Sequence, residues 1–304
     1  MKIQFQNIVD QISKVILGKQ EQISLALTCL FAGGHLLIED IPGIGKTTLA
    51  KVLSRCLGLN FRRIQCTSDM LPGDILGVSI FDKKDSSFVF HPGPIFTQVL
   101  LADEINRATP KTQSALLEAM EERQVTIEGK TRSLEKPFFI IATQNPIEQS
   151  GTFPLPESQL DRFLMRINLD YPDRAAEKQL LKQGEVKSTL FNLDQCLSSE
   201  KVLLIQKAIT KVHTSDALLE YVQDLLNFTR TAPYFSIGLS PRAGLALLRA
   251  AKSSAFLQGR DHALPEDVQK VMPWVVGHRL RSRGDLAEIP RDRLTALMME
   301  IPIP

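Results

Sequence analysis

His35-Leu36-Leu37-Ile38-Glu39 is a short apolar run that leads straight into Asp40-Ile41-Pro42-Gly43-Ile44-Gly45-Lys46-Thr47-Thr48, and helix-forming residues follow as far as Leu57. A strand, a glycine-rich turn and a helix in that order make an anion cradle. Glycines let backbone N–H groups close around a phosphate, and the helix N-terminus adds its partial positive charge. Lys46 is spaced to reach the β- and γ-phosphates of a nucleoside triphosphate, and the Thr47 hydroxyl to ligate Mg²⁺. Asp40, Ile41, Pro42, Gly43, Ile44, Gly45, Lys46, Thr47 and Thr48 are therefore the candidate nucleotide-binding loop. Asp40 stands where the GxxxxGK[ST] pattern has its first glycine, and aspartate tolerates unusual backbone angles better than most residues.

Outward from this loop, short apolar runs alternate with helical patterns. Phe61–Cys66, Val99–Glu104, Phe138–Gln144 and Phe163–Leu169 read as further strands, with helices over Thr47–Leu57 and Lys111–Glu122 between them. Unbroken apolar runs separated by helices predict an α/β fold with a parallel five-stranded sheet covered on both faces. Beyond Tyr171-Pro172 the strand signals fade. Lys201–Thr210, Asp216–Thr229, Pro241–Gln258 and Pro265–His278 read as amphipathic helices, with Pro and Asp near their starts. The expected organisation is a nucleotide-binding α/β domain over residues 1–172 and a smaller all-helical domain over 173–304.

Val99-Leu100-Leu101-Ala102-Asp103-Glu104 ends an apolar strand on two acids, and Asp103 follows Lys46 by 57 positions. At the sheet edge where α/β folds hold ligands, Asp103 would hold Mg²⁺ through water and Glu104 would polarise an attacking water. Asn145 follows the next strand; it either caps the turn before Pro146 or bonds the γ-phosphate or water. Arg162 is either a local ion-pair partner of Asp161 or Glu157, or an arginine finger for a neighbouring subunit. Arg242, one residue past Pro241 at a helix start, is a solvated cation or a phosphate contact from the helical part; the helix dipole disfavours the first.

The remaining composition narrows the field. Among 304 residues, 36 Lys+Arg against 34 Asp+Glu leave a net charge of +2, which argues against a binder driven mainly by charge attraction to nucleic acid or membrane. Four cysteines (Cys29, Cys56, Cys66, Cys196) have no metal or paired spacing, as in a reduced intracellular protein. The five histidines share no ligand spacing. The N-terminus lacks the apolar core of a signal peptide, and no run approaches the ~20 apolar residues that span a bilayer. We expect a cytoplasmic location and no membrane insertion. The arginines at 279, 281, 283, 291 and 293 alternate with Asp285, Glu288 and Asp292, as on a solvated face or subunit contact, not a nucleic-acid patch. Trp274 shares an apolar helical stripe with Val271 and Val275, as in a core.

Taken together, LLIEDIPGIGKTTLAK, FRRIQCTSDMLPGDILG, GPIFTQVLLADEINRATPKTQSALLEAMEE, ATQNPIEQSGTFPLPESQLDRF and GLSPRA resemble the MoxR subfamily of AAA+ ATPases, from about Ile12 to Leu280. The resemblance implies a P-loop NTPase core and helical lid. It also implies that Lys46 is the Walker A lysine, Asp103 and Glu104 Walker B, Asn145 sensor 1, Arg162 the arginine finger and Arg242 sensor 2. An Asp at the Asp40 position is usual in such proteins. Ile16-Leu17-Gly18 matches where they contact adenine, and of two hairpins, at 81–90 and 124–134, the first matches one that faces the ring's pore. Further implications are ATP and Mg²⁺ as cofactors, a homo-hexamer with nucleotide between core and lid, and a separate von Willebrand A domain partner. The implied role is chaperone-like maturation of a client or cofactor insertion into it. Two other readings stand beside it: a nucleotide-gated scaffold with little hydrolysis, which would not need Glu104, Asn145 and Arg162, and a nucleic-acid motor, against which the near-neutral charge counts.

Overall fold

A computed structural model of the chain describes residues 5–146, 151–183, 193–284 and 286–303. Residues 147–150 of the fourth resemblance motif and Asp285 of the basic cluster lie outside these. In chain order the strands are β1 (Leu36–Glu39), β2 (Phe61–Gln65), β3 (Gly77–Asp82), β4 (Ser87–Pro92), β5 (Val99–Asp103), β6 (Gln124–Ile127), β7 (Lys130–Ser133), β8 (Phe139–Gln144) and β9 (Met165–Ile167). The α-helices are α1 (Phe5–Ser13), α2 (Gln20–Phe31), α3 (Lys46–Cys56), α4 (Pro72–Leu76), α5 (Pro110–Glu122), α6 (Glu157–Leu160), α7 (Arg174–Gln183), α8 (Ser199–Thr210), α9 (Asp216–Thr231), α10 (Pro241–Leu257), α11 (Pro265–Val276) and α12 (Arg291–Met299).

Five strands form one sheet in the order β2-β5-β8-β1-β9, with every neighbouring pair parallel. Its inner strands β5, β8 and β1 are apolar on both faces, which is why their sequences run unbroken, whereas the edge strand β2 exposes Arg62, Arg63 and Gln65. Leu36, Ile38, Val99, Leu101, Phe139 and Ile141 join the apolar layer of α1, α2 and α3. Leu37, Leu100, Ala102, Ile140 and Ala142 join the layer of α5, through Leu116, Leu117 and Met120. The helices beyond residue 198 have no separate core: Val202, Leu218, Tyr221, Leu247 and Val268 belong to the first layer. Ser198, Ser215 and Ser240 cap α8, α9 and α10 by accepting from backbone N–H groups of their first turns.

Several boundaries differ from the sequence reading for a local reason. The strand expected over Phe163–Leu169 shrinks to β9 because the Leu169 and Asp170 N–H groups turn to the Asp40 carboxylate, at 2.7 Å each. Helix α12 was not anticipated; its buried side chains are Leu294 and Met298, with Leu297 packed against the core beside them, amid charged residues. Both expected hairpins are present, the first as β3–β4 and the second as β6–β7, whose Glu128-Gly129 turn has positive φ at both residues. Ser79 donates to Glu128 Oε2 (2.6 Å) and the Arg132 guanidinium lies 3.8 Å from the centre of the Phe90 ring, so the two hairpins are stacked on each other. Among the described residues, no helix is long and apolar enough to cross a membrane.

His35 sits buried at the start of β1, where Ile140 N–H donates to its Nδ1 at 3.0 Å. That bond requires an unprotonated Nδ1. Burial, then the nearby Arg123 and Arg249, push the imidazole from 6.5 down to about 3. Buried His278 is pushed well down from 6.5 in the same way, by burial and then Arg279. The unfolded chain therefore takes up both protons near pH 6.5 while the folded chain resists, so stability falls as pH drops below that value. Each such histidine contributes about 1.4 kcal/mol per pH unit. Urea unfolding on going from about pH 7 to pH 5 should approach the slope of two such protons, reduced by about one proton in His35→Gln; an unchanged slope in the variant would remove His35 from the account.

Candidate functional site

Parallel register aligns the C-terminal ends of the strands. Gln65 pairs with Asp103, and the register that sets Ala102 beside Ala142 brings Thr143 level with Asp103, so Gln65, Asp103 and Thr143 form one row along that edge, with Glu39 and Gln144 paired one residue further on. The loop Asp40–Thr48 leaves β1, which lies between β8 and β9 beside this row. Its Asp40 carboxylate accepts three backbone N–H groups, from Ile41 (2.8 Å), Leu169 and Asp170. The residue that breaks the glycine pattern thus ties the loop to the segment after β9. Gly43 and Gly45 hold φ of +86° and +96°, conformations that side chains resist, and a Cβ at either would meet nothing within 4 Å. The space beside both glycines is open, and α3 begins at Lys46, so its first N–H groups have no partner within the helix.

Lys46 Nζ donates to the carbonyl oxygens of Asp40 and, at 3.2 Å, Ile41. Burial lowers its pKa, opposed by the charges of Asp40, Asp103 and Glu104. Asp103 is held on both oxygens: Thr143 Oγ1 donates to Oδ1 (2.5 Å), while Arg63 (2.7 and 3.0 Å) and Thr47 Oγ1 (3.3 Å) donate to Oδ2. Glu104 has φ +55°, a left-handed conformation unusual for a non-glycine residue, and its N–H donates to Thr143 Oγ1 at 2.8 Å. Its carboxylate accepts from Gln65 Nε2 (2.8 Å) and Arg107 Nη1 (3.4 Å). Arg63 also donates to Gln65 Oε1, 2.7 Å away, so two same-face residues of β2 bridge both acids. Asn145 lies buried next to this group; its carbonyl accepts from Asn106 Nδ2 at 3.4 Å. The structure thus brings together the loop, Asp103, Glu104 and Asn145. Arg63, Gln65 and Thr143 were missed by the sequence reading, though the period-two spacing of Arg63 and Gln65 on a strand was a usable signal.

Arg162 and Arg242 are elsewhere. Helix α5 has 13 residues, so it runs about 20 Å from the acids toward the opposite edge of the sheet. Near its end Glu121 forms ion pairs with both Arg162 and Arg242. The cleft around them is lined by Gly33 and Gly34, which precede β1. Arg242, expected as a solvated cation or a phosphate contact from the helical part, stands on the Arg162 side, carried there by packing of the helical part on the first apolar layer. The local pairing of Arg162 with Asp161 or Glu157 is also absent; Asp161 is held by Arg279 at 2.6 Å. The arginine cluster likewise does not present a plain solvated face. Arg279 donates to the Asp161 and Phe163 carbonyls, Arg281 pairs with Glu288, and Arg291 stacks 3.7 Å from the buried Trp274 ring.

The profile of the ATPase family associated with various cellular activities (AAA) matches residues 35–165, and that of the AAA lid domain matches 227–297. The chain is 39% identical over 279 residues to the chaperone MoxR1 of Mycobacterium tuberculosis, spanning 89% of this chain and 74% of that one. It is 31% identical over 323 residues to the protein MoxR of Methylorubrum extorquens, spanning 97% and 93%. The chain belongs to the MoxR family of AAA ATPases. Another relative, YeaC of Bacillus subtilis, is 44% identical over 272 residues, 90% of this chain and 85% of its own. A crystal structure from Cytophaga hutchinsonii, of a protein assigned as an ATPase, superposes with a TM-score of 0.88 at 36% identity, over 98% of this chain and 93% of the other.

In this MoxR-type chain, Asp40 is a structural clamp independent of any ligand. Charge-assisted hydrogen bonds contribute about 1.5–3 kcal/mol when one partner is deleted. Asp40→Ala should therefore cost at least about 2 kcal/mol in urea unfolding without nucleotide, and Asp40→Asn should cost less. Wild-type stability in the alanine variant would show that the three N–H groups find equivalent partners.

Proposed function

We propose that this chain hydrolyses ATP, and that a second copy of the chain is needed to complete each site. The observation that carries this reading is the separation of the two halves: loop and acids at one edge of the sheet, Arg162 and Arg242 at the other. The open turn at Gly43 and Gly45 suits a triphosphate, and the adjacent hard oxygens of Thr47 and Asp103 suit Mg²⁺. Bound there, Mg²⁺ would neutralise charge on the phosphate oxygens. Lys46 would leave the Asp40 and Ile41 carbonyls for the phosphates. Glu104 would orient and polarise the attacking water, with Asn145 beside it. Arg162 and Arg242 would both meet the nucleotide of the neighbouring copy.

We further infer a ring of about six copies, the family's expectation, with a domain boundary near residue 172. The role is chaperone-like remodelling of a client with a von Willebrand A domain partner, supported by the name of the mycobacterial relative as a chaperone. The stacked hairpins, with Phe88 70% and Ile80 52% exposed, are the candidate client contact.

Lys46→Ala should lose nucleotide binding. Glu104→Gln should bind ATP and stall, and Arg162→Ala or Arg242→Ala should bind ATP yet lose turnover by at least about 10²-fold. Mixing Arg162→Ala with Glu104→Gln subunits should restore part of the activity, because wild-type pairings reappear. Recovery would fail if one chain completed its own site. Arg63 raises a separate expectation: it occupies the Asp103 oxygen facing Thr47, so Arg63→Ala should lower the Mg²⁺ concentration for half-maximal nucleotide affinity, read by fluorescent-nucleotide titration. Equal Mg²⁺ dependence would mean that Arg63 does not compete there.

A further inference from the structure

The cleft beside Arg162 has a volume of about 440 Å³ and is lined by five arginines: Arg123, Arg162, Arg242, Arg249 and Arg279. Two carboxylates line it with them, Glu121 and Asp161. Asp161 is committed to Arg279, and Arg123 donates to the Gly33 carbonyl at 3.0 Å. One carboxylate, Glu121, is therefore shared by Arg162 and Arg242. Arg249 lies seven residues beyond Arg242 on α10, hence on the same helix face, and no hydrogen bond or ion pair links it to the described residues. Loss of surrounding water lowers its pKa; Cys29 opposes that, and the nearby charges of Arg123 and Arg242 lower it further. Five guanidinium groups with two carboxylates leave an excess of positive charge around one cleft, with Arg242 and Arg249 reachable from solvent, which is the electrostatic condition for binding a polyanion. A single carboxylate offers two oxygens and one charge. A triphosphate offers more of both, in the geometry that guanidinium forks match.

We propose that Glu121 is a built-in stand-in for the neighbouring copy's triphosphate, which displaces it from Arg162 and Arg242, and that Arg249 is a further phosphate contact in this cleft. This rests on the two-chain reading above. In the isolated chain, Glu121 keeps the two arginines paired and oriented. On association the triphosphate takes over both, and Glu121 swings to solvent. Removing its charge therefore favours association, whereas removing Arg249 weakens it, with the phosphate loop untouched in both.

Two measurements test the proposal, each on folded variants checked by circular dichroism. The first titrates sodium tripolyphosphate into Lys46→Ala protein, whose own loop is disabled, by calorimetry. Saturable binding is expected, tightened at least about threefold by adding Glu121→Gln and weakened at least as much by adding Arg249→Ala. The second follows assembly of the full chain with ATP·Mg²⁺ by mass photometry. The midpoint concentration should fall several-fold in Glu121→Gln and rise in Arg249→Ala. Unchanged affinity and midpoint in Glu121→Gln, while Arg162→Ala and Glu104→Gln mixtures recover turnover, would overturn the stand-in and leave the two-chain reading intact. Tripolyphosphate effects without any change in assembly would assign the cleft to free polyphosphate instead. Mixtures that recover nothing would remove the neighbour's nucleotide as ligand, and the proposal with it.

Discussion

Parallel pairing is the constraint on which the chemistry of this chain depends. Because all five strands of the sheet run the same way, its two edges are unlike, and register decides which side chains meet at each. Gln65, Asp103 and Thr143 fall in one row, and the phosphate loop rises from β1 beside it. A slip of one residue in β5 would turn Asp103 to the other face and separate it from Thr143 and Thr47. The bonds from Thr143, Arg63 and Thr47 to the Asp103 carboxylate resist that slip, because β5 itself is apolar on both faces. Asp40 adds a second lock, since its carboxylate holds the loop to the end of β9.

The acids are held by protein partners that nucleotide chemistry would have to replace. Lys46 bonds its own loop, Arg63 bonds Asp103, and Gln65 bonds Glu104. Each contact pairs a charged group with a local partner, as a partly buried site requires if its charges are not to be left exposed to low dielectric. The same logic operates at the other edge, where Glu121 pairs with Arg162 and Arg242. Arg279, almost wholly buried, fixes Asp161 and so the turn that projects Arg162. The helical part braces the core as well, since its apolar side chains share one layer with α1, α2 and the sheet.

Much of the fold was legible in the residues. Unbroken apolar runs such as Val99–Ala102 announce strands buried on two faces, and the glycine pattern with Lys46 and Thr47 announces the loop, because both depend on local backbone requirements. Less legible were features whose cause lies far away in the chain. Strand β9 ends early because of Asp40, 129 positions before Leu169. The arginines from 279 to 291 look like a solvated face in sequence, yet their partners are Asp161, the carbonyls near it, Glu288 and the Trp274 ring.

By itself, then, the sequence determined the strand–loop–helix cradle, the pair of acids ending β5, and a parallel sheet followed by helices. These follow from periodicity and from spacing within single elements. Only the tertiary structure decided that Arg242 joins Arg162 on Glu121, at the edge opposite the cradle. That outcome depends on how the helical part packs against the sheet, a sum of many weak apolar contacts between segments distant in sequence, and no local pattern around Pro241-Arg242 carries that information.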